Sequence, residues 1–549
     1  MKKIKVLSIE NEDYEIVDEK ARNEITNLYV NNINELKALT DLKVGNVIKT
    51  LGYYEANDGG QGTYLIREKT ELDREDNGSI HFIGDSLVAE LIIEGSINVK
   101  QFGAKGDNVQ DDQPYIQKAL DFLPNGCKLE FPKTDSWYRI KSQLTLNDKS
   151  NVIMDGARIS ALLDDDTKLD PVLRLMDLDN VTIENCEFTN CRQTLLIYTA
   201  NNLKISKCSF YETGYAVIQQ MGYVSNNVIV TECYGYHLNN DMVECNCELN
   251  APSKNWVVSN NIYDGLLREG AIEGNVLETR FLGSTYVDGL IVEGNVIQYA
   301  SGTSGVHIED PIGNVLITGN IFKNCTGYGC VSLHNPGNKN VLISNNIFQN
   351  TLEEFNGTMV YIYGTDDTPN INVSIEGNEF IGNGTQSEPI RWCDIIGYRG
   401  LIKNNTFKGI NYLFDMTKYP FVFIDLIGNK INCNEIFKYK HDGVYKRVEN
   451  INLISNIIKG NIELNYENNG GTAKKIVISD CFIDGNINIQ NSEDIILRNN
   501  TLATGRTITF DTTGYYAKRM YAYNNFILGT GFNPSDNYLT QINTTQEGV

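Results

Sequence analysis

The chain carries too little positive charge to hold a polyanion by bulk attraction. Its 47 Lys and Arg face 70 Asp and Glu, a net charge of −23 over 549 residues. Nucleic acid and anionic membrane are therefore poor partners, and an acidic polymer would need local Arg or Lys. No run approaches the roughly 18 apolar residues of a spanning helix, so no membrane crossing is expected. The opening Met1-Lys-Lys-Ile-Lys-Val-Leu-Ser-Ile9 lacks an apolar core of signal-peptide length, so no export signal is expected. Sustained 3.6 periodicity is missing, which excludes a helical repeat. The Leu-x-x-Leu-x-Leu frame of a leucine-rich horseshoe is missing too. Asp58-Gly-Gly-Gln-Gly-Thr-Tyr64 fails the phosphate-loop pattern and reads as a turn between strands. Cys245-Asn-Cys247 stands alone, so no metal is expected there.

What recurs is a short alternating unit. Val-Thr-Ile-Glu-Asn-Cys186-Glu-Phe is followed by Leu-Lys-Ile-Ser-Lys-Cys208-Ser-Phe and by Val-Ile-Val-Thr-Glu-Cys233. Asn261, Asn295, Asn320, Asn346, Asn378, Asn405, Asn429 and Asn456 hold the same place later, and Cys481, Asn500 and Asn525 complete the series. The steps run from 19 to 34 residues and centre near 25. Period-two alternation makes each unit a half-buried strand that needs a stacked neighbour to cover its apolar face. The expected fold is all-β: a right-handed parallel β-helix, with Asn amides bonding from coil to coil at a tight turn. Cys fits the same small buried position. With 4 of the 12 cysteines in that column and no export signal, free thiols are expected.

Three regions follow. Residues 1–95 do not show the repeat, and a short amphipathic helix is expected from Asp18 to Leu28. Residues 96–530 form the β-helix, opened by a capping helix at about 112–123, where one of Asp111 and Asp112 caps and Pro114 fits the first turn. Residues 531–549 form a tail that leaves the repeat. The paired aspartates read as structural despite looking like a catalytic pair.

The run Phe102-Gly-Ala-Lys-Gly-Asp107, with Asp111-Asp112 and Ile116-Gln-Lys-Ala119 after it, resembles the opening of pectate-lyase-like β-helix proteins. Leu51-Gly-Tyr-Tyr-Glu-Ala-Asn-Asp-Gly-Gly60 before it makes the chain similar to bacteriophage tailspikes and appendage proteins. The Tyr14–Ile25 stretch is also similar to virion-proximal segments in phages of Gram-positive hosts. The resemblance implies a homotrimer on a phage tail, acting outside the cell and joined through its N-terminal region to a tail or baseplate protein. It implies a bacterial surface polysaccharide or teichoic acid as the partner. It does not fix the chemistry, because that superfamily holds hydrolases, lyases, esterases and inert spikes.

A second strand follows many anchors by about 10 to 15 residues: Val243-Glu-Cys-Asn, Val306-His-Ile-Glu, Val331-Ser-Leu-His, Val360-Tyr-Ile-Tyr and Ile390-Arg-Trp-Cys. Alternation sends Glu244, His307, Ser332, Tyr361 and Arg391 outward in one column, and Asn246, Glu309, His334 and Tyr363 in the next. Two of the chain's 5 histidines lie here. Glycosidic cleavage needs a carboxylic acid and a carboxylate base or nucleophile. Asp241, Glu244, Glu269, Glu273 and Glu309 are the catalytic carboxylate candidates, with His307 beside them. Arg268, Asp310, His334, Tyr361, Tyr363 and Arg391 are the candidates for substrate binding. The register of Arg268 to Glu273 is not fixed by the repeat. Elimination on a uronic-acid polymer is the alternative, with His307 or Tyr361 as base and Arg268, Arg391 or a bound Ca2+ as the cation. A spike that only binds is the third reading. Hydrolysis needs no cofactor.

Overall fold

A computed structural model describes residues 7–9, 12–14, 28–161, 163, 169–265, 280–301, 303–337, 339–352, 358–364, 372–387, 389–393, 399–415, 423–438, 450–464, 474–490, 492, 494–511, 519–527, 531–533, 539–542 and 545–546. The chain forms two compact units. The first comprises Met1–Ile140 with Val152–Arg158, the second Lys141–Asn151 with Ile159–Val549.

The first unit holds a five-stranded sheet in the order Leu28–Val30, Val47–Thr50, Gly62–Glu68, Leu87–Leu91, Ile80–Ile83. The expected helix over Asp18–Leu28 lies outside the described residues, apart from Leu28, which opens the first of these strands. The glycine cluster is a turn: the Asp58 carboxylate accepts backbone N–H groups from Tyr53, Tyr54, Glu55 and Gly60. This unit extends past the expected boundary at 95, because three parallel strands, Ser96–Asn98, Lys128–Glu130 and Ile153–Asp155, and the helix Gln113–Phe122 belong to it.

The two aspartates before that helix divide their work. Asp111 Oδ1 accepts Gln113 N at 3.2 Å. Asp112 is fully buried, and its carboxylate accepts Lys105 N, Gly106 N and Gln110 Nε2 at 2.8, 2.9 and 2.9 Å. Asp112 thus ties down the Phe-Gly-Ala-Lys-Gly turn while its side chain makes no bond to the helix end. Gly103 at φ 101° and Gly106 at φ 67° bend that turn in a region that favours glycine.

The second unit is a right-handed parallel β-solenoid built on long parallel sheets. Each anchor is buried, and the Asn column forms the expected amide ladder. In Asn346, both N and Nδ2 donate to Asn378 Oδ1, at 2.9 and 3.0 Å, and Nδ2 also donates to Ile317 O at 2.9 Å. The same set repeats from Asn261 to Asn429. Cys481 breaks the amide run but keeps the line, receiving Asn456 N at 3.4 Å and donating its own N to Asn500 Oδ1 at 3.0 Å. The turn itself belongs to the residue before each anchor. From Asn185 to Asn524 these residues sit at φ between 53° and 67°. Asn and Gly fill most of these left-handed positions, as their steric tolerance dictates.

Apolar side chains stack just as regularly. Phe322, Phe348, Phe380 and Phe407 occupy one register column of the second sheet, with successive ring centroids 5.0, 4.9 and 4.8 Å apart. At Gly235 that column has no side chain, and the sulfur of Met242 and Leu238 Cδ1 occupy the space a Cβ would enter. Trp256 is buried in the core, as its strand position suggests. Among the described residues the cysteines are free. The C-terminal stretch does not leave the repeat: Gly531–Asn533, Leu539–Ile542 and Thr545–Gln546 pair in parallel with the coil before them. The sequence hid this coil because no Asn or Cys anchors it.

Four substitutions test these ties. Asn346→Leu strands Asn320 N, Asn320 Nδ2 and Ile317 O, and should lower stability by about 2–5 kcal/mol in urea unfolding. Cys208→Ser keeps a small donor in the column and should cost about 1 kcal/mol or less; an equal loss in both would refute the amide ladder as the tie. Asp112→Ala should cost about 2–4 kcal/mol and Asp111→Ala only about 0.5–1 kcal/mol, and the reverse order would overturn the division of roles.

Candidate functional site

The outward band lies on one face of the solenoid. The strands Val243–Asn246, Leu282–Thr285, Val306–Glu309, Val331–His334, Val360–Tyr363 and Ile390–Cys393 pair in parallel, rung on rung. Their register puts Glu244, Gly283, His307, Ser332, Tyr361 and Arg391 in one column. Asn246, Thr285, Glu309, His334, Tyr363 and Cys393 form the neighbouring one. The long step from Asn261 to Asn295 conceals the rung Leu282–Thr285, so Glu244 and His307 are separated by two steps of the ladder. Arg268, Glu269 and Glu273 lie outside the described residues, as does the side chain of Arg391.

These rungs frame a cleft of about 380 Å³, whose lining includes Arg280, Thr285, His307, Glu309, Tyr328 and His334. Of the sequence candidates, His307, Glu309 and His334 line it directly. Glu244 and Asp241 lie against it through Arg280. Asp241 is fully buried, and Arg280 Nε lies 2.9 Å from both of its oxygens. Arg280 Nη2 is 2.9 Å from Asp241 Oδ2 and 4.0 Å from Glu244 Oε1. Asn246 Nδ2 donates to the same Glu244 oxygen. Gly283 makes room for this pair, since a Cβ there would stand 2.7 Å from Asp241 Oδ2 and 3.2 Å from Arg280 Cζ. Arg280, Gly283 and Tyr328 escaped the sequence reading. The available signal was that the coils on either side each carry one such rung, so the long step from Asn261 to Asn295 should carry one too.

A hydrogen-bonded chain crosses the cleft wall. Ser304 Oγ lies 2.8 Å from Ser332 Oγ, Ser332 Oγ 2.6 Å from His307 Nδ1, and His307 Nε2 3.1 Å from Glu309 Oε1. His334 Nδ1 is 4.0 Å from the same Glu309 oxygen, and its ring meets His307 edge-on at 4.8 Å. Tyr328, 49% exposed, stacks on Tyr361 at 5.0 Å with 12° between the rings. Tyr363 packs on His334 at 5.4 Å. Burial pushes the His307 pKa down to about 4; Glu309 opposes this, while His334 and Arg280 reinforce it. Burial also lowers His334, against Glu309 and Asp310. Asp310 is raised, first by burial; Asn335 opposes this and the Glu309 charge adds to it. At neutral pH the cleft therefore holds two uncharged imidazoles beside carboxyl groups. Among the described residues no cluster of three metal-ligating side chains occurs.

The fold and this face define a right-handed β-helix protein with an outward cleft. Residues 138–281 match the family described as right handed beta helix region. An exo-poly-alpha-D-galacturonosidase of Dickeya chrysanthemi is 44% identical over 55 residues, 9% of this chain and 9% of that protein's length. The tailspike protein of Acinetobacter baumannii phage AM24 is similar at 14% identity and a TM-score of 0.48, over 72% of this chain and 67% of that one. The tailspike gp49 of Acinetobacter baumannii bacteriophage Fri1, a capsular polysaccharide depolymerase, shares 12% identity at a TM-score of 0.36, over 89% and 76%. The surface adhesin PfbA of Streptococcus pneumoniae shares 16% identity at a TM-score of 0.38, over 79% and 100%. The other similar structures are mostly phage tailspikes.

The histidine pKa gives a signed expectation. A free histidine titrates near 6.5 and His307 near 4. Between these values the unfolded chain binds more protons. The contribution is therefore present above about pH 6.5 and lost as pH falls toward 4. The unfolding midpoint should drop between pH 7 and 4, and His307→Gln should remove up to about 3 kcal/mol of that dependence. His81, also near 4, keeps a slope of its own in the first unit. An unchanged slope in the variant would show that His307 is not desolvated.

Proposed function

We propose that the chain is a tailspike-type depolymerase that cleaves a bacterial surface polysaccharide by carboxylate-assisted glycoside hydrolysis. The observation that carries this is the convergence of Glu244, Glu309, uncharged His307 and His334, and the Tyr328–Tyr361 stack on one cleft-bearing face. In this reading Glu309 is the base or nucleophile and Glu244 protonates the leaving oxygen. Asp241 fixes Arg280 from beneath and is a positioning residue. Tyr328 and Tyr361 offer an aromatic surface to a sugar face. Glu244 and Glu309 are two rungs apart, about 10 Å along the ladder. We further assign the protein to a phage tail as a homotrimer acting outside the cell, with its N-terminal region toward a tail or baseplate protein. A teichoic acid is an alternative substrate of the same surface.

One observation favours a second reading. Arg280 and an uncharged His307 share the cleft, which suits β-elimination on a uronic-acid polymer, with Arg280 beside the carboxylate in the place of Ca2+.

Incubation with purified host surface polysaccharide separates these. Hydrolysis yields new reducing ends without ultraviolet-absorbing product, and elimination yields that absorbance. Release of neither, with binding retained, would make the chain an adhesin. Glu244→Gln and Glu309→Gln should each keep fold and binding while turnover falls about 10²–10⁴-fold. Wild-type turnover in both would remove these residues from the chemistry.

A further inference from the structure

We infer that Ser332, backed by Ser304, is a positioning residue that holds His307 in the Nε2–H tautomer and so presents the Glu309 carboxylate to substrate. The catalytic meaning of this inference rests on the hydrolase reading; the tautomer does not.

Donor counting sets the direction of every bond. A carboxylate only accepts, so the 3.1 Å contact requires His307 Nε2 to carry the proton. An uncharged imidazole has one N–H, so Nδ1 is then an acceptor. The group 2.6 Å from Nδ1 is the Ser332 hydroxyl, which must give its only proton there. Ser332 Oγ can then only accept from Ser304, whose hydroxyl stands 2.8 Å away. The chain runs one way, Ser304 to Ser332 to His307 to Glu309. Ser304 and Ser332 are both fully buried, so water does not compete for these bonds. That burial also separates the arrangement from a serine-nucleophile triad, since Ser332 cannot reach a substrate. With Oε1 held by His307, Glu309 Oε2 remains for the reacting group.

The chain has one other consistent setting. If His307 takes a proton at Nδ1 from solvent hydronium, it becomes an imidazolium, a water molecule is released and no bond within the protein breaks. The Ser332 hydroxyl turns to Ser304, and the Ser304 hydroxyl turns to Val306 O, 3.0 Å away. Acid therefore reverses the two hydroxyls and leaves Nε2–H on Glu309. The charged and titratable groups facing His307 are Glu309, His334 and Arg280.

Histidine-selective ¹⁵N labelling with solid-state NMR reads the tautomer directly, and only 5 histidines contribute. The His307 signals, assigned by their loss in His307→Gln, should show Nε2–H alone at pH 7. Ser332→Ala, which leaves the Glu309 contact alone to bias the ring, should admit a minor Nδ1–H form, and Ser332→Thr, which keeps the hydroxyl, should restore the single form. On an active substrate Ser332→Ala should lower kcat roughly 2- to 10-fold with KM unchanged, and Ser332→Thr should recover it. An Nδ1–H signal in the wild type, or an unchanged tautomer in Ser332→Ala, overturns the inference. The expected tautomers in a protein that cleaves nothing would uphold the positioning and refute the hydrolase.

Discussion

The structure depends on one repeated bond set: an Asn at the same turn of successive coils, whose backbone N–H and side-chain N–H both donate to the Oδ1 of the next Asn, and whose own Oδ1 accepts the same pair from the one before. An isolated buried amide of this kind would be costly, because desolvated donors and acceptors need partners. In a column each amide satisfies the next, and the cost appears only at the ends. At the N-terminal end the column changes to Cys233, Cys208 and Cys186, which ask for fewer hydrogen bonds. Cys233 N still donates to Asn261 Oδ1 at 2.9 Å, so the last amide oxygen is not stranded. The ladder fixes the phase of every coil. Without it, alternation alone would leave each rung free to slip by two residues.

That phase builds the site. His307 and Glu309 share one rung, 3.1 Å apart, and the register of the next rung brings Ser332 to within 2.6 Å of His307. A slip of one rung by two residues would exchange the columns and dissolve the chain of bonds. The alternation also explains the burial. Val306 and Ile308 fill the interior, while His307 faces the other way and is still covered. Such covered outward residues keep an imidazole uncharged next to a carboxylate, which an open strand surface would not do.

The fold was legible because its signal is repeated. Fourteen anchors carry the same local pattern, so a substitution by Cys or an irregular loop does not erase it. The two outward columns were legible for the same reason: each rung carries its own alternation. What the sequence hid has no repeat behind it. The Leu282–Thr285 rung reads Leu-Gly-Ser-Thr and carries one apolar residue, so periodicity could not place it. Arg280 gains its meaning only from the buried Asp241, one rung away, and Gly283 only from the space both need. Asp112 likewise outranks Asp111 through burial, which two adjacent identical residues cannot reveal. The final coil was missed because its turn lacks the anchor that marked the others.

The electrostatics of the cleft weigh on the choice of chemistry. Arg280 is the cation of the cleft among the described residues, and it is already bound through Nε and Nη2 to a buried aspartate. To neutralise a uronate it would have to share or abandon Asp241, leaving a buried carboxylate without its partner, a loss of about 3–5 kcal/mol. Glu244 and Glu309 add negative charge around the same space, and the chain as a whole is strongly acidic. A polyanion would therefore meet repulsion at long range and a committed cation at short range. A neutral sugar meets neither penalty. In the proposed reading it lies on Tyr328 and Tyr361 and exchanges hydroxyl bonds with Thr285 and the histidines, beside the Glu309 carboxyl group. Within the proposed function, the same ion pair that makes Arg280 a rigid wall of the cleft weighs for hydrolysis over elimination.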